Sequence, residues 1–85
     1  MYGVEFAPAA ARAFRRLPKG VRARVKLKIE DLARDPYAKH NNAAKLQGRA
    51  GYRLRIGDWR AVYEIIGERA MVVIIDVGPR GSIYE

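Results

Sequence analysis

The stretch from Gly51 to Ile65, GYRLRIGDWRAVYEI, constrains the fold most, because it alternates apolar and basic residues, breaks at Gly57-Asp58, and alternates again. Alternation of period two reads as a half-buried strand, and a two-residue loop between two such runs reads as a β-hairpin. With Gly57 and Asp58 as the loop, Ile56 faces Trp59, Arg55 faces Arg60 and Arg53 faces Val62. Directly paired residues project from the same side of a sheet, so three guanidinium groups gather on one face. Like charges in opposition destabilise a hairpin, and this face therefore calls for an anion. The planar guanidinium fork matches the oxygens of a phosphate. Trp59, in phase with Ala61 and Tyr63, belongs to the other, core-facing side.

The remaining chain supplies cover for that sheet. Tyr2 to Phe6 alternate as a short strand. Pro8 stands where a first helical turn tolerates it, and Ala10, Phe14 and Leu17 follow helical spacing. Leu17-Pro18-Lys19-Gly20 reads as a turn, followed by a longer helix over 21–34 with Val21, Val25, Ile29 and Leu32 on one stripe. Asp35-Pro36 ends it, and residues 37–50 read as an exposed basic loop. Strands are expected at about 51–56, 59–66 and 70–78, the last apolar on both faces as for a strand inside a sheet. A two-residue connection near Gly67-Glu68-Arg69 places Arg80 opposite to Arg60, whereas a three-residue one places both together and pairs Arg60 with Asp76. The order β-α-α-β-β-β is an α+β architecture, a helical hairpin on one face of a small, mainly antiparallel sheet. Residues 1–85 form one domain, since no linker or repeat divides them.

Composition narrows the partner. Lys and Arg number 17 against 9 Asp and Glu, a formal charge of +8, and twelve of the bases are arginine. Such a balance points to a polyanionic partner, a nucleic acid or an acidic protein ahead of a membrane surface. Cysteine is absent and His40 is the single histidine, which excludes disulfides and multi-histidine or cysteine metal sites. No run approaches the ~20 apolar residues of a membrane span and Arg12, Arg15 and Arg16 interrupt any leader-like segment, so a cytoplasmic location is expected. Charge alone leaves a non-enzymatic nucleic-acid-binding module open.

Lys45-Leu46-Gln47-Gly48, the run Gly51 to Tyr63, Val77-Gly78-Pro79-Arg80 and Tyr84 together resemble the RelE/ParE toxins of bacterial toxin–antitoxin modules, over nearly the whole chain. The resemblance implies one of two activities. RelE-like members are ribosome-dependent endoribonucleases that cleave mRNA by metal-free attack of the 2′-OH on the adjacent phosphate, with no cofactor. ParE-like members share the fold and inhibit DNA gyrase. In the ribonuclease branch the site would comprise Arg53, Arg55, Arg60, Arg80 and Tyr84, with Arg60 and Arg80 meeting the charge on the phosphorane, Arg53 and Arg55 gripping the scissile or flanking phosphates, and Tyr84 stacking on a base or sitting near the leaving oxygen. Lys45 and Arg49 before the hairpin, and Arg22 and Lys26 on the second helix, are candidate RNA contacts. An acidic antitoxin, the ribosome and mRNA are the implied partners. Many relatives carry lysine on the second strand and histidine or lysine before the final arginine, where this chain has Arg53, Arg55 and Pro79. Arginine, with a pKa above about 12, is a poor proton acceptor. Glu64, Asp76 and His40 are the residues that could fill that role, and a slower enzyme, or one borrowing groups from the ribosome, is expected.

Overall fold

The computed structural model of this chain describes residues 1–82. Its elements run β1 (Gly3–Phe6), α1 (Pro8–Arg15), α2 (Lys19–Arg34), β2 (Ala43–Lys45), β3 (Tyr52–Ile56), β4 (Trp59–Ile66) and β5 (Met71–Pro79). The five strands lie in the order β1-β5-β4-β3-β2, antiparallel except for the β1–β5 pair. That parallel pairing follows from connectivity: the chain leaves β1, forms both helices and the meander, and returns beside its own start. β5 is therefore flanked on both sides, as its doubly apolar sequence anticipates.

Both helices pack on one side of the sheet. Ala10 and Leu17 from α1 and its exit, and Val25, Ile29 and Leu32 from α2, bury against Leu54, Ile56, Ala61, Tyr63, Val72, Ile74 and Val77. Neither helix has a side-chain N-cap, so packing of the apolar stripe rather than local capping holds them. The Tyr2 N–H donates to Ala33 O (2.9 Å) and the Ala7 N–H to Ile74 O (2.9 Å), which ties the N-terminal strand to both layers. Among the described residues no helix is long and apolar enough to cross a membrane.

Two expectations are corrected. α2 begins at Lys19, with Gly20 inside its exposed first turn rather than in a loop. The segment read as loop over 37–50 contains the edge strand β2, whose Ala43, Ala44 and Lys45 oppose Leu54, Arg53 and Tyr52. Three residues of which two are alanine carry no alternation, so the neighbour β3 creates this strand rather than its own propensity.

Tyr63 is fully buried and its ring stacks on Tyr52, with centroids 5.3 Å apart. Burial, and to a lesser degree the Tyr52 phenol, pushes its pKa up to about 12. Because the folded value lies above the unfolded value of about 10, the contribution to stability is complete below pH 10. It is lost between about pH 10 and 12, at a slope on the order of 1.4 kcal/mol per pH unit. Alkaline melting curves of Tyr63→Phe should fall less steeply over that window than those of the parent chain.

Candidate phosphate-binding face

The hairpin forms with the expected register: Ile56 opposes Trp59, Arg55 opposes Arg60 and Arg53 opposes Val62. Gly57 adopts φ +59 while Asp58 stays at negative φ, the pattern of a type II′ turn that requires glycine first. Leu54, Ile56, Trp59, Ala61 and Tyr63 point toward the helices. Arg53, Arg55, Arg60 and Val62 therefore share the outer face.

A β-bulge in β5 completes that face. Tyr63 opposes Ile74 but Val62 opposes Asp76, leaving Ile75 as the extra residue. Ile74 and Val77 are consequently both buried toward the helices, three positions apart where a regular strand alternates. Asp76 and Gly78 turn outward, opposite Val62 and Arg60 respectively. Arg80 follows in the same phase, and its N–H donates to Asp58 O at 2.7 Å. Arg60 and Arg80 thus lie on one side. The connection responsible is neither two nor three residues: Gly67 to Ala70 separate the Ile66–Met71 pair as a short 3₁₀ turn, closed by Ala70 at φ +49. Arg60 opposes Gly78, not Asp76.

The arginines are not equivalent. Arg60 is only 6% exposed, the one buried charged residue among those described. Its Nη1 donates to Gly57 O (2.8 Å) and Trp59 O (2.9 Å), so the guanidinium folds back on the hairpin turn. These carbonyl dipoles offset part of the Arg55–Arg60 repulsion, and the fold does not itself require an anion there. Arg53 is half-buried beside Val62, which is 1% exposed, while Arg55 and Arg80 are exposed.

Asp76 brings a carboxylate to the arginine face, in line with Val62 and one step along the strand from the Arg60–Gly78 pair. Its Oδ1 accepts the Val77 N–H at 2.9 Å, which fixes the side chain against its own strand. Glu64 also points outward but sits beyond Val62, near Gly51. His40 belongs to the helix side, where Nε2 donates to Asp35 O at 2.9 Å. Among the described residues no group of three or more histidines or carboxylates could hold a metal ion.

The candidate RNA contacts scatter. Lys45 opposes Tyr52 and so belongs to the helix side, away from Arg53. Arg49 is exposed in the connection before β3. Arg22 is half-buried, and Lys26 borders a groove beside β1 with Tyr2 and Ile29. The α2 residues that approach the hairpin are instead Arg24 and Lys28, whose charge resembles that of their neighbours and whose position only the azimuth of the helix decides. Arg24 Nη1 comes within 3.6 Å of where a Cβ on Gly57 would stand. Tyr84 lies outside the described residues.

The chain is thus a basic α+β domain with helices on one face of its sheet and, on the other, Arg53, Arg55 and Arg60 beside the Asp76 carboxylate. Residues 4–84 match the model for the ParE toxin of the type II toxin–antitoxin system parDE, and the chain belongs to this family of type II toxins. It is 29% identical over 79 residues to the mRNA interferase toxin RelE of Escherichia coli K12, covering 93% of this chain and 83% of that protein. The archaeal RelE–RelB complex of Pyrococcus horikoshii superposes with a TM-score of 0.80 at 27% identity, covering 96% of this chain and 98% of that one. The RelBE2 toxin–antitoxin complex of Mycobacterium tuberculosis gives 0.77 at 33% identity, with coverage of 93% and 98%.

Proposed function

We propose that this toxin is an mRNA endoribonuclease of the RelE kind, acting on mRNA in the ribosome by metal-free transesterification. The observation that supports the reading is the β5 bulge, which turns Asp76 to the face of Arg53, Arg55 and Arg60 and leads the chain to Arg80, whose N–H donates to Asp58 O. A gyrase inhibitor needs a binding surface and no such constellation.

In the proposed reaction the 2′-OH of the substrate attacks its neighbouring phosphorus, the P–O5′ bond breaks, and the products are a 2′,3′-cyclic phosphate and a 5′-OH. Negative charge accumulates on the non-bridging oxygens as the phosphorane forms. Arg80 is exposed, so its guanidinium can meet that charge, while Arg60 contributes a buried positive charge to the floor of the site. Arg53 and Arg55 bind the scissile and flanking phosphates. Asp76 takes the proton from the 2′-OH, the task that no arginine can perform, and solvent water returns a proton to the departing 5′-oxygen. Tyr84 is assigned to base stacking on the resemblance alone. The antitoxin partner is acidic and covers the arginine face, with the unpaired edges of β1 and β2 offering backbone groups for an added strand. The site of action is the cytoplasm, where translating ribosomes are.

Induction of the protein in cells, with mapping of mRNA 5′ ends, tests the reading. Cuts within translated codons that vanish when translation is blocked are expected. Double-strand DNA breaks with intact mRNA would assign the chain to the gyrase-directed branch. Neither lesion would leave a binding module.

A further inference from the structure

On the helix side of the hairpin, α2 turns Arg24, Leu27, Lys28 and Asp31 toward the chain around residues 39–42 and the end of β3. Two hollows lie along this seam, of about 270 Å³ beside Lys28, Lys39, His40 and Leu54, and of about 240 Å³ beside Arg24, Leu27, Arg55 and Gly57. Both are bordered by Lys28 and Asn42, so they adjoin along one seam, here called the groove. Its outer wall is held in place by hydrogen bonds: the Arg55 N–H donates to Asn42 O (2.8 Å) and the Ala43 N–H to His40 O (3.1 Å). The His40 ring is anchored in turn on Asp35 O.

The chemistry of the lining is specific. Four cations, Arg24, Lys28, Lys39 and Arg55, face one carboxylate, Asp31, which stands 3.6 Å from Arg34. Leu27 interrupts the cations with a 66% exposed apolar side chain that contributes nothing to the core. Cations flanking an apolar contact suit a single nucleic-acid strand, whose phosphates and base faces recur in alternation. β2 reaches only as far as the Ala43–Leu54 pair, so Arg55 stands at the sheet edge and borders both this groove and the arginine face.

We infer that the groove is a second RNA subsite, which takes the single strand flanking the cleaved bond: phosphates on Arg24, Lys28 and Lys39, a base against Leu27, and Arg55 joining the two sites. The inference deepens the ribonuclease reading and rests on it for the identity of the strand. Binding of a short, unstructured, labelled oligoribonucleotide, measured by fluorescence anisotropy over a series of salt concentrations, tests it without any cleavage. Each phosphate contact adds about 0.7 to the slope of log affinity against log salt for a single strand. The triple variant R24Q/K28Q/K39Q should lower that slope by about 2 and weaken binding at least about tenfold at low salt. The variant R12Q/R15Q/K19Q removes the same charge from exposed positions outside the groove and should leave the slope unchanged. An equal fall in both triples, or none in the first, overturns the inference. Should the groove triple fail to fold, Leu27→Asp, at an exposed position, replaces it and should weaken binding by a similar factor; unchanged affinity there is equally decisive. If the groove triple loses its slope but no mRNA is cut in cells, the subsite stands and the catalytic reading falls. If mRNA is cut and the slope does not move, the reverse holds.

Discussion

Replacing Arg80 by alanine is expected to reduce mRNA cleavage on programmed ribosomes by about 10²–10³ and to relieve growth arrest, without a measurable change in thermal midpoint. The side chain is exposed and its strand is held by the backbone bond from Arg80 N–H to Asp58 O, which alanine retains. Arg60→Ala makes the instructive contrast. Its guanidinium is buried and donates to the carbonyls of Gly57 and Trp59, so its removal leaves a void and two less satisfied acceptors. Charge-assisted bonds of this kind contribute about 1.5–3 kcal/mol. For a domain of this size the midpoint should therefore fall on the order of 10 °C, together with the loss of cleavage. Arg60→Lys should regain part of the stability and little of the activity, because an ammonium can reach a carbonyl but does not reproduce the fork. Melting curves beside single-turnover cleavage separate the two arginines. An Arg80→Ala protein that cleaves like the parent chain would remove Arg80 from the mechanism.

The contrast between these two residues also shows where sequence reasoning reaches and where it stops. The hairpin register was legible because charge alternates on both arms and Gly57-Asp58 admits one kind of loop. That Arg60 turns back to the loop was not, since alternation assigns a residue to a face and says nothing of its rotamer. The side on which Arg80 falls depended on a bulge at Ile75, in a strand whose Val72 to Ile75 are apolar without a break, so that no pattern marks the shift in phase. β2 was invisible for a different reason: Ala43-Ala44-Lys45 becomes a strand only because β3 offers an unpaired edge. On α2 the apolar stripe fixed the buried face, yet Arg22, Arg24, Lys26 and Lys28 are alike in type. Only the placement of α2 over the sheet decides that Arg24 and Lys28 border the hairpin while Lys26 faces β1. The hairpin register at the centre of the candidate site was readable in the sequence; what gathers around it depended on packing.

Asp76→Asn should lower the rate of cleavage by about 10²–10⁴ while the toxin still engages the ribosome. The bulge brings this carboxylate out beside the Arg60–Gly78 pair, and the proposed attack of a 2′-OH needs an acceptor that the arginines cannot supply. Asparagine is the informative replacement, because its amide oxygen can still accept the Val77 N–H that Oδ1 accepts now. Structure at the bulge is thereby kept, and what disappears is the charge and its affinity for a proton. Asp76→Ala removes both, so a protein that falls only on alanine substitution would reveal a residue that positions β5 and nothing more. Equal losses in Asn and Ala, with unchanged melting in the first, would identify proton transfer as the step affected. Cleavage by the Asn variant within about tenfold of the parent rate, well short of a general-base contribution, would return the proton to the ribosome or to a solvent molecule.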